Sequence, residues 1–149
     1  MAELTRQDVI KLVAANRRSI CLRGVDLSGL DLSYLDLSDA DLSYANLEKT
    51  NLGHAWLHQA ALFNANLAGA NLTGVVLRYA ELVGANLTNA DLRQADLDQA
   101  TLCGATLSGA NLTEIAHEGA NFDGVRASAA TIWPDAFDQR QFDLFIESD

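Results

Sequence analysis

From Leu22 to Leu112 every fifth residue is leucine, nineteen in unbroken register, and neither standard secondary structure can hold a five-residue period on one face. On an α-helix five residues advance about 500°, so successive leucines would spiral round the axis. In a continuous strand, residues five apart fall on opposite faces. The period fits a chain that runs extended for a few residues, inward–outward–inward, and then turns a corner through the same angle each time. Every leucine then points inward.

The positions around the leucines support this geometry. Two residues before each leucine stands a small or apolar residue: Val25, Leu30, Leu35, Ala40, Ala45, Thr50 and so on to Ala110. The residue between is mostly Asp or Asn. Nine of the ten glycines, from Gly24 to Gly124, lie two residues after the central position, where a type II turn needs a positive φ. Tyr34, Tyr44, Lys49, Tyr79 and Gln94 occupy that same position elsewhere. Their corners are expected to use a different turn, so that no single turn type serves throughout.

The motif A(D/N)LXX recurs as Ala45-Asn46-Leu47, Ala65-Asn66-Leu67, Ala85-Asn86-Leu87 and Ala110-Asn111-Leu112, and in this the chain resembles the pentapeptide-repeat family. The resemblance implies an all-β fold, a right-handed quadrilateral β-helix with four pentapeptides per coil, so that residues twenty apart stack. At strand spacing the rod would be about 26 Å long. The outward asparagines Asn46, Asn66 and Asn86, and likewise Asn51 and Asn71, then align for amide ladders. The expected organisation is an N-terminal capping helix over residues 1–19, the β-helix over 20–132 and an apolar C-terminal cap over 133–149.

An open solenoid exposes strand edges at both ends, which is why ends are expected to be covered. Thr5-Arg6-Gln7-Asp8 resembles a capping box and precedes an amphipathic stretch, predicting a helix over about residues 6–16. Arg17 and Arg18 suit its C-terminal dipole. After about residue 126 the motif fades into an apolar tail with Trp133, Phe137, Phe142, Leu144, Phe145 and Ile146.

The formal net charge is −10, which argues against direct nucleic-acid binding, since that requires a basic stripe to displace counterions. A cationic partner suits it better, unless the acidic residues only occupy solvated corners and keep the protein soluble. No apolar run approaches the length of a membrane span, and the N-terminus lacks a secretory pattern, so a soluble cytoplasmic protein is expected. Cys21 and Cys103 fall about four coils, or about 19 Å, apart, beyond disulfide reach.

The candidate chemistry is thin. His54 and His58 have the spacing of a zinc helix, but on successive corners they stand about 12–13 Å apart, too far to share one metal. Asp96 and Asp98 both point outward beside Leu97, yet a convex rod offers no cleft in which paired carboxylates act as acid and base. His117 takes an inward position between Leu112 and Phe122, a fault in the repeat, and is expected to bond to backbone or to escape to solvent as the coil loosens there. No catalytic residue, metal or cofactor is expected.

The surface is more informative. Trp56 and Val76 align in one column and Phe63 and Val83 in another, with Ala61 between, forming an apolar patch of the kind that marks interaction sites. The expected function is therefore non-enzymatic: a scaffold or regulatory protein that binds an unidentified protein partner, or a second copy of itself as a homodimer, through this patch. The alternative, implied by the family resemblance, is an acidic mimic of DNA that binds a type II topoisomerase such as gyrase. The rod carries about half the charge of duplex DNA of equal length, which bears one charge per about 1.7 Å.

Overall fold

The structure is a computed structural model that describes residues 4–15, 19–135 and 137–147. From Cys21 onward the outward residue of each pentapeptide bridges in parallel to the residue twenty further on. Four columns result, each a side of the ladder. Side 1 runs Asp26–Asn46–Asn66–Asn86–Thr106–Arg126 and side 2 runs Asp31–Asn51–Asn71–Asp91–Asn111. Side 3 runs Asp36–Trp56–Val76–Asp96–Ala116 and side 4 runs Cys21–Asp41–Ala61–Glu81–Thr101–Asn121. The corners interrupt pairing so often that, among the described residues, conventional strands form only at β1 (Arg126–Ser128) and β2 (Phe145–Glu147).

All nineteen leucines from Leu22 to Leu112 are at most 1% exposed. The small residues two positions before them are buried from Ala40 onward, whereas Val25, Leu30 and Leu35 of the first coil are only partly so. Thr50 is the polar exception at this inward position and is fully buried. Its hydroxyl donates to the Leu27 carbonyl at 2.9 Å, which removes the penalty of burying an unpaired hydroxyl.

One corner conformation serves throughout, contrary to the mixture expected. All twenty-one corners from residue 24 to residue 124 have positive φ at the second position, nine at glycine and twelve at other residues. Tyr34 (61°), Tyr44 (61°), Lys49 (54°), Tyr79 (58°) and Gln94 (59°) adopt it like their glycine counterparts. The residue after each corner donates its N–H back to the central leucine, as Ala45 does to Leu42 at 3.0 Å, completing the pattern of a type II turn. The ladder overrides local preference: the positive φ aims the second corner N–H along the rod, as from Tyr44 to Phe63 at 2.8 Å and from Lys49 to Ala68 at 2.9 Å.

At the N-terminus α1 (Arg6–Ala15) follows a reciprocal capping box. The Thr5 N–H donates to the Asp8 carboxylate at 3.0 Å, and the Asp8 N–H donates to the Thr5 hydroxyl at 3.3 Å. Val9 is fully buried against the leucine core, with Leu4 and Val13 packed beside it. The Arg6 guanidinium donates to the carbonyls of Asp31 and Ser33, the acceptors that on later coils take N–H groups from the coil before. Arg17 and Arg18 lie outside the described residues.

Towards the C-terminus the register slips. Asn111 bridges to Ile132, twenty-one residues on, because a turn closed by the Thr131 N–H on the Ser128 carbonyl at 3.0 Å inserts one residue. The tail also does more than dock. β2 pairs in parallel with β1, Arg126 opposite Phe145 and Ser128 opposite Glu147, and so adds a rung to side 1. Phe122, Trp133, Phe137 and Phe142 form an aromatic cluster at this end, with the Trp133 and Phe137 rings stacked at 4.6 Å.

The uniform corner has a measurable consequence. Lys49→Gly removes a side chain from a left-handed conformation and is expected to raise stability by about 0.5–1 kcal/mol. Gly109→Ala does the reverse, since φ is +71° and a Cβ would meet the Asn89 side chain, and is expected to cost about 1–3 kcal/mol. Urea unfolding followed by circular dichroism measures both; equal effects of like sign would contradict the single-corner account.

Candidate protein-binding surface

Each pentapeptide has one backbone N–H that the ladder does not reach, that of the first corner residue. Wherever the outward residue is Asp or Asn, its Oδ1 accepts this N–H two residues on: Asp26 from Ser28 at 3.1 Å, Asn51 from Gly53 at 3.1 Å, Asn111 from Thr113 at 3.0 Å. Asparagine does this and also donates its amide along the column, as Asn66 does to Asn46 at 3.1 Å, Asn86 to Asn66 at 3.1 Å and Asn71 to Asn51 at 2.8 Å. The ladders read from the sequence therefore form.

Side 2 keeps Asp or Asn at every rung from Asp31 to Asn111, and side 1 keeps them from Asp26 to Asn86. Sides 3 and 4 break the rule in their middle coils, where Trp56, Val76, Ala61, Glu81 and Thr101 stand instead. These two sides are adjacent. They and their bordering corners hold Tyr34, Tyr44, Trp56, Phe63 and Tyr79, every aromatic residue of the coils before Phe122.

Trp56 is 50% exposed, between Asp36 and Val76 in its column. Ala61, Phe63, Val76 and Val83 are half-buried. Phe63 and Val83 lie on the far corner of side 4, where the Asn64 N–H donates to the Val83 carbonyl at 3.0 Å. A polar corner divides the patch: Arg78 holds Asp96 at 3.2 Å and Asp98 at 2.7 Å. The sequence patch is thus two apolar strips, Trp56–Val76 and Ala61–Phe63–Val83, either side of this ion pair.

Three exposed tyrosines extend the surface, at 66% for Tyr34, 54% for Tyr44 and 53% for Tyr79. The repeat alone places them at corners; the usable signal is a bulky ring where glycine is otherwise favoured. Tyr34 stacks on His54 at 5.3 Å, and Tyr79 meets His58 edge-on at 5.6 Å. Each histidine therefore has its own aromatic partner at opposite corners of side 3.

Asp96 and Asp98 do not form an acid–base pair. Asp98 is held below the usual carboxylate range, first by its hydrogen bond from Arg78 and then by the Glu118 N–H, so it stays ionised and engaged. His117 is half-buried, its ring 5.4 Å from Phe137 and 6.5 Å from Phe122. It is neither bonded to backbone nor released to solvent as expected, because the aromatic cluster takes up its ring. A cavity of about 240 Å³ beside it is lined by Thr113, Glu114, Ile115, Pro134 and Asp135.

The repeat matches the pentapeptide repeats family in eight copies, over residues 20–59, 55–94 and 80–115. The chain belongs to this family. Pentapeptide-repeat proteins fold as right-handed β-helices and are generally non-enzymatic structural or binding proteins. Among solved structures, the pentapeptide-repeat protein Rfr23 from the cyanobacterium Cyanothece 51142 is 28% identical, with 85% of this chain and 97% of that chain covered at a TM-score of 0.63. HetL, a pentapeptide-repeat protein involved in heterocyst differentiation regulation in the cyanobacterium Nostoc sp. strain PCC 7120, is 25% identical, covering 89% of this chain and 78% of that chain at a TM-score of 0.45. No curated protein matches. No helix among the described residues is long and apolar enough to cross a membrane.

The Asx bonds make the first coil sensitive to acid. Asp26 is held below its usual value of 3.8 by the Ser28 hydroxyl and N–H, and Asp41 likewise by Ser43, with Arg23 adding to it. A folded pKa below the unfolded one contributes stability that is present above pH 3.8 and lost as pH falls through the folded value. Asn retains the Oδ1 acceptor without titrating, so Asp26→Asn is expected to flatten the fall in melting temperature between about pH 4 and pH 2. An unchanged slope would show that this carboxylate takes no part.

Proposed function

We propose that this protein is a non-enzymatic binding or scaffold protein that engages a protein partner, or a second copy of itself, through sides 3 and 4, with Trp56, Ala61, Phe63, Val76 and Val83 as the contact residues. The observation that carries this reading is the placement of the broken rungs. Asp and Asn serve the fold, and the rungs that forgo them lie mainly on two adjacent sides, which with their bordering corners bear the exposed aromatic rings. Giving up a backbone-satisfying residue for a half-exposed Trp or Val weakens the rung, so the side chain itself is what the position provides.

In the same reading the N-terminal helix and the aromatic C-terminal segment serve as caps on a four-sided rod. Burial of Val9 in the core and the addition of β2 to side 1 support it. The caps then leave the sides, not the ends, for recognition.

Replacing Trp56 and Phe63 together with Asp is expected to leave the circular dichroism spectrum native and to reduce self-association or partner capture at least tenfold, a loss of about 1.4 kcal/mol or more. Undiminished association by analytical ultracentrifugation and pull-down would refute the patch.

A second reading, the acidic DNA mimic that binds a type II topoisomerase such as gyrase, draws support from the five aspartates of coil 1 and its junction, Asp26, Asp31, Asp36, Asp39 and Asp41. The neutral asparagine columns of sides 1 and 2 weaken it, because a duplex mimic needs carboxylates at phosphate-like spacing along its length. Under this reading, purified protein inhibits gyrase supercoiling at micromolar concentration; undisturbed supercoiling removes it.

A further inference from the structure

Most cations among the described residues are paired within the chain. Lys11 pairs with Asp8, Lys49 with Glu48, Arg93 with Asp91 and Arg140 with Asp138. Arg6, Arg23 and Arg78 are likewise engaged with carboxylates. Among the described residues only Arg126 has no acidic partner. Asp36, Asp39 and Glu81, by contrast, are exposed with no cation among the described residues beside them. Asp36 and Asp39 border the Trp56–Val76 strip, Asp36 bridging to Trp56 and the Asp39 N–H donating to the His58 carbonyl at 2.9 Å, while Glu81 bridges to Ala61 in the second strip.

The surface also shows how it holds a guanidinium. Asp-Leu-Ser-Tyr occurs twice, at residues 31–34 and 41–44, and an arginine from the preceding element reaches each copy. The Arg23 guanidinium carbon lies 4.7 Å from the Tyr44 ring centre, with the Asp41 carboxylate 3.8 Å from one of its nitrogens. Arg6 reaches Asp31 at 3.3 Å. Trp56 and Asp36 also set a ring and a carboxylate side by side, here on neighbouring rungs of side 3 spaced about 4.8 Å apart, with a larger and more electron-rich ring. Among the described residues no arginine arrives there.

We propose that the Trp56–Asp36 strip receives an arginine-bearing segment of a partner protein, the guanidinium lying against the indole and forking onto the Asp36 carboxylate. This rests on reading sides 3 and 4 as a protein-binding surface. Tryptophan is the strongest of the aromatic faces for a cation. A planar guanidinium both stacks and bonds bidentately, which an ammonium does not. The net charge of −10 complements a basic segment and repels nucleic acid, and the flat strip lacks the concavity that a small molecule needs.

The test uses the full chain and the blocked tripeptide amide Leu-Arg-Leu, with its lysine and citrulline counterparts, followed by the Trp56 indole N–H and backbone amides in two-dimensional NMR. The arginine peptide is expected to shift residues 36–39 and 54–58 saturably, with a dissociation constant on the order of 1 mM. The lysine peptide should bind at least about threefold more weakly, and the neutral citrulline peptide should leave the signals unmoved. Asp36→Asn keeps the Oδ1 acceptor for the Ser38 N–H, and Trp56→Leu keeps an apolar rung; both should weaken binding several-fold, whereas Asp26→Asn on side 1 should not. Equal response to citrulline, or equal loss on Asp26→Asn and Asp36→Asn, would overturn the proposal. If the peptides fail while the Trp56→Asp, Phe63→Asp variant still loses its partner, the arginine assignment falls and the protein-binding reading stands.

Discussion

In each five-residue unit one backbone N–H is left over by the ladder, and the architecture depends on what accepts it. Three of the others pair between coils and a fourth closes the corner, as the N–H groups of Leu42, Tyr44, Asn46 and Ala45 do. The N–H of Ser43 has no backbone acceptor and takes the Asp41 carboxylate at 3.0 Å. A buried or half-buried amide without a partner costs about 1–3 kcal/mol, and the cost recurs at every corner. This is why Asp and Asn fill the outward position and why departures from them are informative.

Leucine burial and corner strain are tied to this accounting. A five-residue repeat gives each leucine a short rung, too brief for a conventional strand, so lateral cohesion comes from stacking identical corners. Non-glycine residues accept a left-handed backbone there because leaving it would misdirect an N–H that the next coil needs. Local preference yields wherever two hydrogen bonds depend on one dihedral.

The leucine spacing made the coil register legible, and the asparagine columns followed from it, because both obey translation along the chain. The corners were misread at Tyr34, Tyr44, Lys49, Tyr79 and Gln94, since residue identity is a poor guide to φ when tertiary bonds decide it. The place of Trp56, Phe63, Val76 and Val83 was legible as columns, but not their division, which depends on Arg78 reaching to Asp96 and Asp98 on the coil beyond. The slip at residues 128–131 and the pairing of β2 were also hidden: one inserted residue and one returning strand leave no periodic trace. His117 was readable as a fault, but its ring could be placed only once Phe122 and Phe137 were in position.

Arg6 gives the end of the rod a particular character. Its guanidinium presents two donors to the Asp31 and Ser33 carbonyls, as a preceding coil would with its main-chain amides, and so terminates the lattice on side 2 with a single side chain. The hydrogen-bonding pattern that propagates the coils is thus met, at this edge of side 2, by a single side chain from outside the repeat.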